Sequence, residues 1–170
     1  LAHLAADSAP TRLLVTHGRA AEAVKSIFKH ENEPIPASIG HFSLSISYLP
    51  ALTQVDYDHL LWACDLNFVR GEDSLVRALW AGRPFIWQIY PQDDGAHHAK
   101  LEAFLEWLDA PASLRQFHHA WNGLADPGDA RWPGPPELDA WASCARAARS
   151  RLFTQDDLAT QLLGFVGKKR

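Results

Sequence analysis

Short apolar runs alternate with stretches of helical periodicity along the first two-thirds of this 170-residue chain. In HFSLSISY, residues 41–48, apolar residues alternate with serines, which is typical of a strand with one buried face. In His97–Leu108 the apolar residues recur at i, i+3, i+4 and i+7, which indicates an amphipathic helix. Strands that alternate with helices predict an α/β fold on a mostly parallel sheet with right-handed crossovers.

The same two periods predict the individual elements. The predicted strands are Arg12–Thr16, His41–Tyr48, Leu66–Val69 and Pro84–Tyr90. The predicted helices are Ala20–His30, Asp56–Cys64, Asp73–Ala81 and His97–Leu108.

The last third of the chain predicts a helical tail interrupted by proline. Asp126–Pro136 holds four prolines and two glycines and is expected to be a loop. A helical stripe then follows at Leu138, Trp141, Ala145, Ala148 and Leu152. Thr154-x-x-Asp157 resembles a capping box. It predicts a final helix with its apolar residues facing inward, namely Leu158, Leu162, Phe165 and Val166.

Composition excludes several classes of protein. A chain with 47% hydrophobic and 21% charged residues is neither disordered nor a fibrous repeat. The formal charge of −4, with no basic block before the last three residues, argues against a broad nucleic-acid interface. Residues 34–55 contain no Asp, Glu, Lys or Arg and are long enough for a membrane helix, but their prolines and serines argue against one. Two cysteines favour a reducing compartment. Because the chain contains no methionine, we expect it to be part of a longer protein.

The strongest indication of a ligand site lies between residues 64 and 92. There the pattern predicts a strand, a turn through Arg70 and Gly71, and a helix that opens near Asp73 and Ser74. Ligands of open α/β sheets bind beyond the carboxyl ends of the strands, where a helix N-terminus offers unpaired N–H groups to an anion. Arg70, Gly71 and Ser74 would then hold a phosphate. The structural alternative stays open: Gly71 is a turn glycine, and Asp73 or Ser74 caps the helix.

Glu72 and Asp73 are unusual residues for an anion site, since carboxylates repel phosphate. They fit if they bind sugar hydroxyls, as the acidic residue of dinucleotide folds binds ribose. That interpretation predicts a nucleotide that carries a sugar. The alternative is that both acids simply interact with the helix dipole.

The histidines do not indicate a metal site. His97-His98 and His118-His119 are adjacent pairs, and neighbours on a helix point about 100° apart. Zinc sites on one helix use i, i+4 spacing, so we predict no metal at these pairs.

A long run of residues carries a resemblance to a known family. The run is DLNFVRGEDSLVRALWAGRPFIWQIYPQDDGAHHAKLEAFL, Asp65 to Leu105, and YDHLLWACD (57–65) extends it. It resembles the signature of the bacterial arginine rhamnosyltransferases that modify elongation factor P, and the whole chain resembles their carboxy-terminal half. The resemblance implies a Rossmann-like, mostly parallel sheet with helices on both faces and a helical C-terminal tail, one half of a GT-B architecture. Residues 1–170 would form one nucleotide-sugar-binding domain whose N-terminal partner domain is absent from this chain.

The resemblance also implies an activity. Enzymes of this family bind dTDP-β-L-rhamnose and transfer rhamnose, with inversion, to an arginine side chain of elongation factor P in the cytoplasm. No metal, cofactor, nucleic acid or membrane is expected to take part. The general base lies in the N-terminal domain, so this chain alone is expected to be inactive. Two alternatives remain open, a non-catalytic α/β nucleotide-binding or protein-interaction module and a different GT-B sugar transferase.

Site residues are carried over position by position. The resemblance implies that the diphosphate and sugar are held by Arg70, Gly71, Glu72, Asp73 and Ser74. It further implies that Gln54 meets the nucleobase and that Tyr90 lies beside the phosphates. Glu72 is the candidate catalytic residue, with a role in orienting donor or acceptor. Asp56-Tyr57-Asp58 has the spacing of a metal-binding pair of some glycosyltransferases, but acidic residues are favoured at a helix start in any case.

The nucleobase loop departs from the family pattern at one position. Ala51 stands where the family has a phenylalanine that stacks on thymine. The loop follows the strand that ends at Tyr48, so it is expected at the same sheet edge as the Arg70 turn. We therefore expect weak binding of the base. The alternative is that Ala51 is an ordinary loop residue and that Leu52 or Tyr48 packs near the base.

Overall fold

Two pairs of parallel strands organise the structure, one in each of the two units into which the chain divides, residues 1–57 and 58–170. The structure is a computed structural model that describes residues 10–29, 44–129 and 131–168. Whether residues 1–170 form one domain stays a prediction.

The first unit is a strand–helix–strand arrangement. It contains β1 (Thr11–Val15), α1 (Arg19–Lys29) and β2 (Leu44–Tyr48), and α2 (Gln54–Ala63) begins in it. β1 and β2 are parallel, with register from Thr11↔Leu44 to Val15↔Tyr48. The predicted strand at 41–48 is therefore confirmed over 44–48, and its first three residues lie outside the described part of the chain.

The second unit repeats this arrangement and adds a helical tail. It contains β3 (Asn67–Val69), α3 (Glu72–Ala81) and β4 (Phe85–Trp87), with β3 and β4 parallel. The tail consists of α4 (Ala96–Leu108), α5 (Ala112–Trp121), a 3-10 turn (Pro127–Asp129), α6 (Pro135–Phe153) and α7 (Leu158–Gly167). The predicted α/β class with parallel strands and a C-terminal helix is confirmed.

The core of the second unit forms where β4 packs against α4 and α5, and α6 packs on these two helices. The largest fully buried side chains include Ile86 and Trp87 of β4, Leu101 and Leu105 of α4, and Trp141 of α6. Trp141 also donates a hydrogen bond from its indole to Ser113 Oγ at 3.0 Å. The stripes predicted for α4 and α6 are therefore the faces that pack inward.

Gly82 allows α6 to approach the end of α3. It is the C-cap of α3 with φ +66°, a conformation that glycine adopts without strain. A Cβ at this position would lie 2.9 Å from the guanidinium carbon of Arg149 on α6. The same guanidinium lies 3.4 Å from the carbonyl oxygens of Trp80 and Ala81, so one glycine permits both the turn and the helix contact.

The structure corrects two predicted boundaries. β4 ends at Trp87 rather than Tyr90, because its partner β3 ends at Val69. The residue after β4 still bonds to that strand end, since Gln88 N–H donates to Val69 O at 2.8 Å. The predicted loop 126–136 contains a 3-10 turn and gives way to α6 at Pro135, since proline is tolerated in a first helical turn.

The predictions for the C-terminal tail also need correction. Thr154 closes α6, with its hydroxyl donating to Arg151 O at 2.8 Å, and it does not open α7. Asp157 is the true N-cap of α7, because its carboxylate accepts from the N–H groups of Ala159 and Thr160. The predicted inward face is wrong as well. Leu158 is 71% exposed, and Leu162, Phe165 and Val166 are exposed too, since the described residues around α7 do not cover its apolar stripe.

Candidate functional site

The candidate site in the second unit begins where β3 and β4 end side by side. The two strands run parallel with Val69 opposite Trp87, so both carboxyl ends meet at one edge. Arg70 and Gly71 follow β3 there, and Tyr90 follows β4. This is the position at which α/β sheets bind ligands.

The N-terminus of α3 points unpaired N–H groups into this edge. Gly71 is the N-cap, and no side chain caps the helix there. The first intrahelical hydrogen bond runs from Leu75 N–H to Gly71 O at 2.9 Å, which leaves the N–H groups of Glu72, Asp73 and Ser74 without helical partners. With the positive end of the helix dipole they form a site suited to an anion.

Gly71 lies in the turn between β3 and α3, but its backbone angles do not require glycine. Its φ of −73° is open to any residue. A Cβ here would lie 3.6 Å from the Tyr90 hydroxyl, an ordinary contact that would occupy the space between helix start and ring. That Gly71 lets the backbone approach a phosphate closely stays a prediction.

Arg70 is held between two aromatic residues and keeps one donor unused. Its carbonyl accepts a hydrogen bond from the Trp87 indole at 2.8 Å, and its guanidinium carbon lies 4.9 Å from the centroid of the Tyr90 ring. The Arg70 Nε is buried and has no hydrogen-bond partner among the described residues. Buried donors are nearly always paired, so this donor needs an acceptor that the described residues do not supply.

The acidic residues of the turn are each paired with a cation. Glu72 Oε1 lies 2.9 Å from Lys100 Nζ, and this ammonium holds the pKa of Glu72 below its usual value. Asp73 accepts a hydrogen bond from Arg77 Nε at 3.0 Å. Arg77 also donates to both oxygens of Asp58 at 2.8 Å, which gives this carboxylate a structural role.

Side chains from α5 and its C-cap, Asn122, bond to the backbone of β4 on the edge that faces away from β3. Trp87 N–H donates to His118 Nε2 at 3.1 Å, and Trp87 O accepts from the Asn122 amide at 2.9 Å. Asn122 Oδ1 also accepts from Ile89 N–H at 2.9 Å, which fixes the segment that leads to Tyr90. His118 Nδ1 contacts Leu114 O at 3.0 Å and so carries the proton. Complete burial lowers the pKa of His118 to about 4, so the imidazole is neutral.

Analysis of the sequence missed these α5 residues and Lys100. The i, i+4 spacing of His118 and Asn122 on one helix face is a signal that could have identified the pair. In the sequence, His118 and His119 were considered only as possible metal ligands. In the described part of the chain, no group of three His, Cys, Asp or Glu side chains is placed to hold a metal ion.

The predicted site residues fall into two sets. Arg70–Ser74 and Tyr90 lie together in the second unit, and that they hold a diphosphate and a sugar stays a prediction. Ala51 and Gln54 belong to the first unit, where Ala51 is exposed between β2 and α2 and Gln54 begins α2. Thr53 caps that helix by accepting from Asp56 N–H at 3.1 Å. That Ala51 and Gln54 meet a nucleobase stays a prediction.

Comparisons with known proteins agree on one family. Residues 1–167 match the family model described as elongation factor P (EF-P) rhamnosyltransferase EarP. The chain is similar to the protein-arginine rhamnosyltransferases of Pseudomonas aeruginosa (41% identity over 92% of this chain) and Pseudomonas putida (42% over 95%). It spans 43% and 45% of the lengths of these curated relatives.

A solved structure gives the same result at the level of the fold. It is described as the structural basis for EarP-mediated arginine glycosylation of translation elongation factor EF-P. The match has a TM-score of 0.73 at 35% identity and covers 98% of this chain and 55% of that one. Separately, no helix among the described residues combines the length and apolar character needed to cross a membrane.

Proposed function

The chain belongs to the EarP family of elongation factor P rhamnosyltransferases, and we propose that it is the donor-binding part of such an enzyme. In this proposal it binds dTDP-β-L-rhamnose, and the complete protein transfers rhamnose with inversion to an arginine of elongation factor P in the cytoplasm. The chain spans less than half of its curated relatives, so the transfer is proposed for the longer protein and donor binding for this chain.

One observation carries the proposal, the unused Nε donor of Arg70 beside the uncapped start of α3. A diphosphate has acceptor oxygens on two adjacent groups, and it can bond to the α3 N–H groups and to Arg70 at once. The same groups would stabilise the negative charge that develops on dTDP as its bond to rhamnose breaks.

Glu72 is proposed to act on the sugar side of the diphosphate. Its carboxylate is half-exposed at the first position of α3, next to the N–H groups that would hold the phosphates. From there it can accept hydrogen bonds from a sugar hydroxyl or from the guanidinium of the acceptor. Arginine hardly loses its proton at neutral pH, so transfer also needs a general base, which we assign to the part of the protein beyond this chain.

A ligand-observed NMR titration of this chain tests the proposal. dTDP-rhamnose and free dTDP are compared with UDP at equal concentrations. We expect saturation transfer to both thymidine ligands and a weaker response with UDP. Equal responses to all three ligands would favour a general nucleotide-binding module or another sugar transferase, and no response to any would contradict donor binding.

A further inference from the structure

Two negatively charged side chains lie at the proposed anion site, and one of them is paired with a lysine from another helix. Glu72 and Asp73 occupy the first two positions of α3, and unpaired carboxylates there would bond to the free N–H groups and repel a diphosphate. Asp73 bonds to Arg77, one turn further along the same helix, and shares that guanidinium with Asp58. Glu72 is neutralised by Lys100, which lies 28 residues away on α4.

The start of α4 is built to put Lys100 in this place. Gly95, with φ +71°, precedes the helix, and Asp94 accepts a hydrogen bond from Ala96 N–H at 3.0 Å. His97 is buried and accepts from Gln92 N–H at 3.0 Å, which joins α4 to the segment after β4. Lys100 follows one turn later, with its ammonium 5.8 Å from the centroid of the Trp87 ring. The end of α4 that holds the Tyr90 segment therefore also holds Glu72.

We propose that Lys100 is a positioning residue of the donor site, which neutralises and orients the Glu72 carboxylate so that the start of α3 accepts a diphosphate. This inference rests on the proposed function. Lys100 acts through Glu72 rather than by contact with the phosphates. With Lys100 in place, one oxygen of the Glu72 carboxylate bonds to the ammonium on α4, and the N–H groups of Asp73 and Ser74 are left for the ligand.

The pair is poorly suited to a role in folding. The Lys100 side chain is 54% exposed and that of Glu72 55% exposed, and ion pairs so open to solvent contribute little to stability. Variants at either position should therefore fold normally, and a change in ligand affinity can be attributed to the site.

The test is isothermal titration of dTDP-rhamnose and of free dTDP into the chain and four variants. Lys100→Gln should weaken binding of both ligands about fivefold, the scale of one charge at a helix N-terminus. Lys100→Arg should retain most of the affinity. The decisive variant is Lys100→Gln combined with Glu72→Gln, which removes both charges and should restore binding. Lys168→Gln is the control, because it removes the same charge from an exposed position at the end of α7 and should bind as the unchanged chain does.

Each of the other possible outcomes contradicts either the role of Lys100 or the proposed function. Equal affinity of Lys100→Gln and the unchanged chain would overturn the role of Lys100 and leave the proposed function intact. Failure of the double variant to recover would also overturn it, because Lys100 would then contact the phosphates directly. Absence of binding by the unchanged chain would overturn the proposed function itself and this inference with it.

Discussion

Among single residues, Ser74 gives the most direct test of whether the start of α3 binds a diphosphate. It is the third residue of the helix and partly buried. Ser74→Ala should weaken binding of dTDP-rhamnose by about 1 kcal/mol, the usual contribution of one hydrogen bond. Isothermal titration measures the change. Ser150→Ala, at an exposed position of α6, is the control and should bind normally; an equal loss in both variants would remove Ser74 from the site.

Glu72 should affect turnover more than donor affinity. Its proposed role is to orient a sugar hydroxyl or the acceptor, whereas the diphosphate is proposed to bind to the α3 N–H groups and Arg70. In the full-length protein, Glu72→Ala should therefore lower kcat while the Kd for dTDP-rhamnose changes little. Steady-state kinetics and titration of the same preparation separate the two effects. Unchanged kcat would exclude Glu72 from catalysis and favour the helix-dipole interpretation.

Ala51 should limit the affinity of this chain for the nucleobase. An aromatic ring that stacks on a base contributes about 1–3 kcal/mol relative to alanine. Ala51→Phe should therefore strengthen binding of dTDP and of dTDP-rhamnose alike, since both carry the same base, as measured by isothermal titration. Ala140→Phe adds the same ring at an exposed position of α6 and should change nothing. If Ala51→Phe has no effect, residue 51 does not face the base.

The residues of the candidate site differ in how far sequence could identify them. Arg70–Ser74 and Tyr90 follow two predicted strands, and parallel strands bring their carboxyl ends together, so their meeting could be predicted. Lys100 could not be found in this way, because nothing local in α4 reveals that its ammonium reaches a carboxylate 28 residues earlier. The unused Arg70 donor likewise depends on three-dimensional burial.

At the level of elements, the contact between α5 and β4 should make stability depend on pH. The pKa of His118 is about 4 when folded and rises to the ordinary value near 6.5 on unfolding. The unfolded state therefore binds the extra proton first as the pH falls. Stability is complete above about pH 6.5 and is lost toward pH 4, by about 2 kcal/mol between about pH 7 and pH 5. Urea unfolding at both values measures this loss.

Two variants separate His118 from the other histidines. His118→Gln should be less stable at neutral pH, because it loses a buried acceptor, but its stability should change little between about pH 7 and pH 5. His98→Gln, at an exposed position of α4, should retain the full dependence of the unchanged chain. The same dependence in all three proteins would contradict the assignment to His118.

The elements themselves were predicted where local periodicity determines them. α4 and the buried face of α6 follow directly from the spacing of their leucines, tryptophan and alanines. The start of α7 was misplaced because Thr154 and Asp157 are both good capping residues, and only the end of α6 decides between them. The length of β4 is set by that of its partner β3, so it could not be predicted from the sequence of β4 alone.

At the level of the whole molecule, this chain should bind donor without transferring rhamnose. Transfer needs a positioned base and a closed cleft, and both are assigned to the part of the protein beyond these residues. Mass spectrometry of elongation factor P incubated with dTDP-rhamnose and this chain should find no modified arginine, whereas the full-length protein should modify it. Rhamnosyl-arginine formed by the 170-residue chain alone would show that the base and the cleft do not depend on the rest of the protein.

The contact of α5 with β4 also bears on how the molecules behave toward one another. A strand edge with unpaired N–H and C=O groups can recruit a strand from another copy and start an aggregate. Here His118 and Asn122 occupy the backbone groups of Trp87, so that edge offers no template. A protonated His118 could no longer accept from the Trp87 N–H, so acidification would return one unpaired donor to this strand edge.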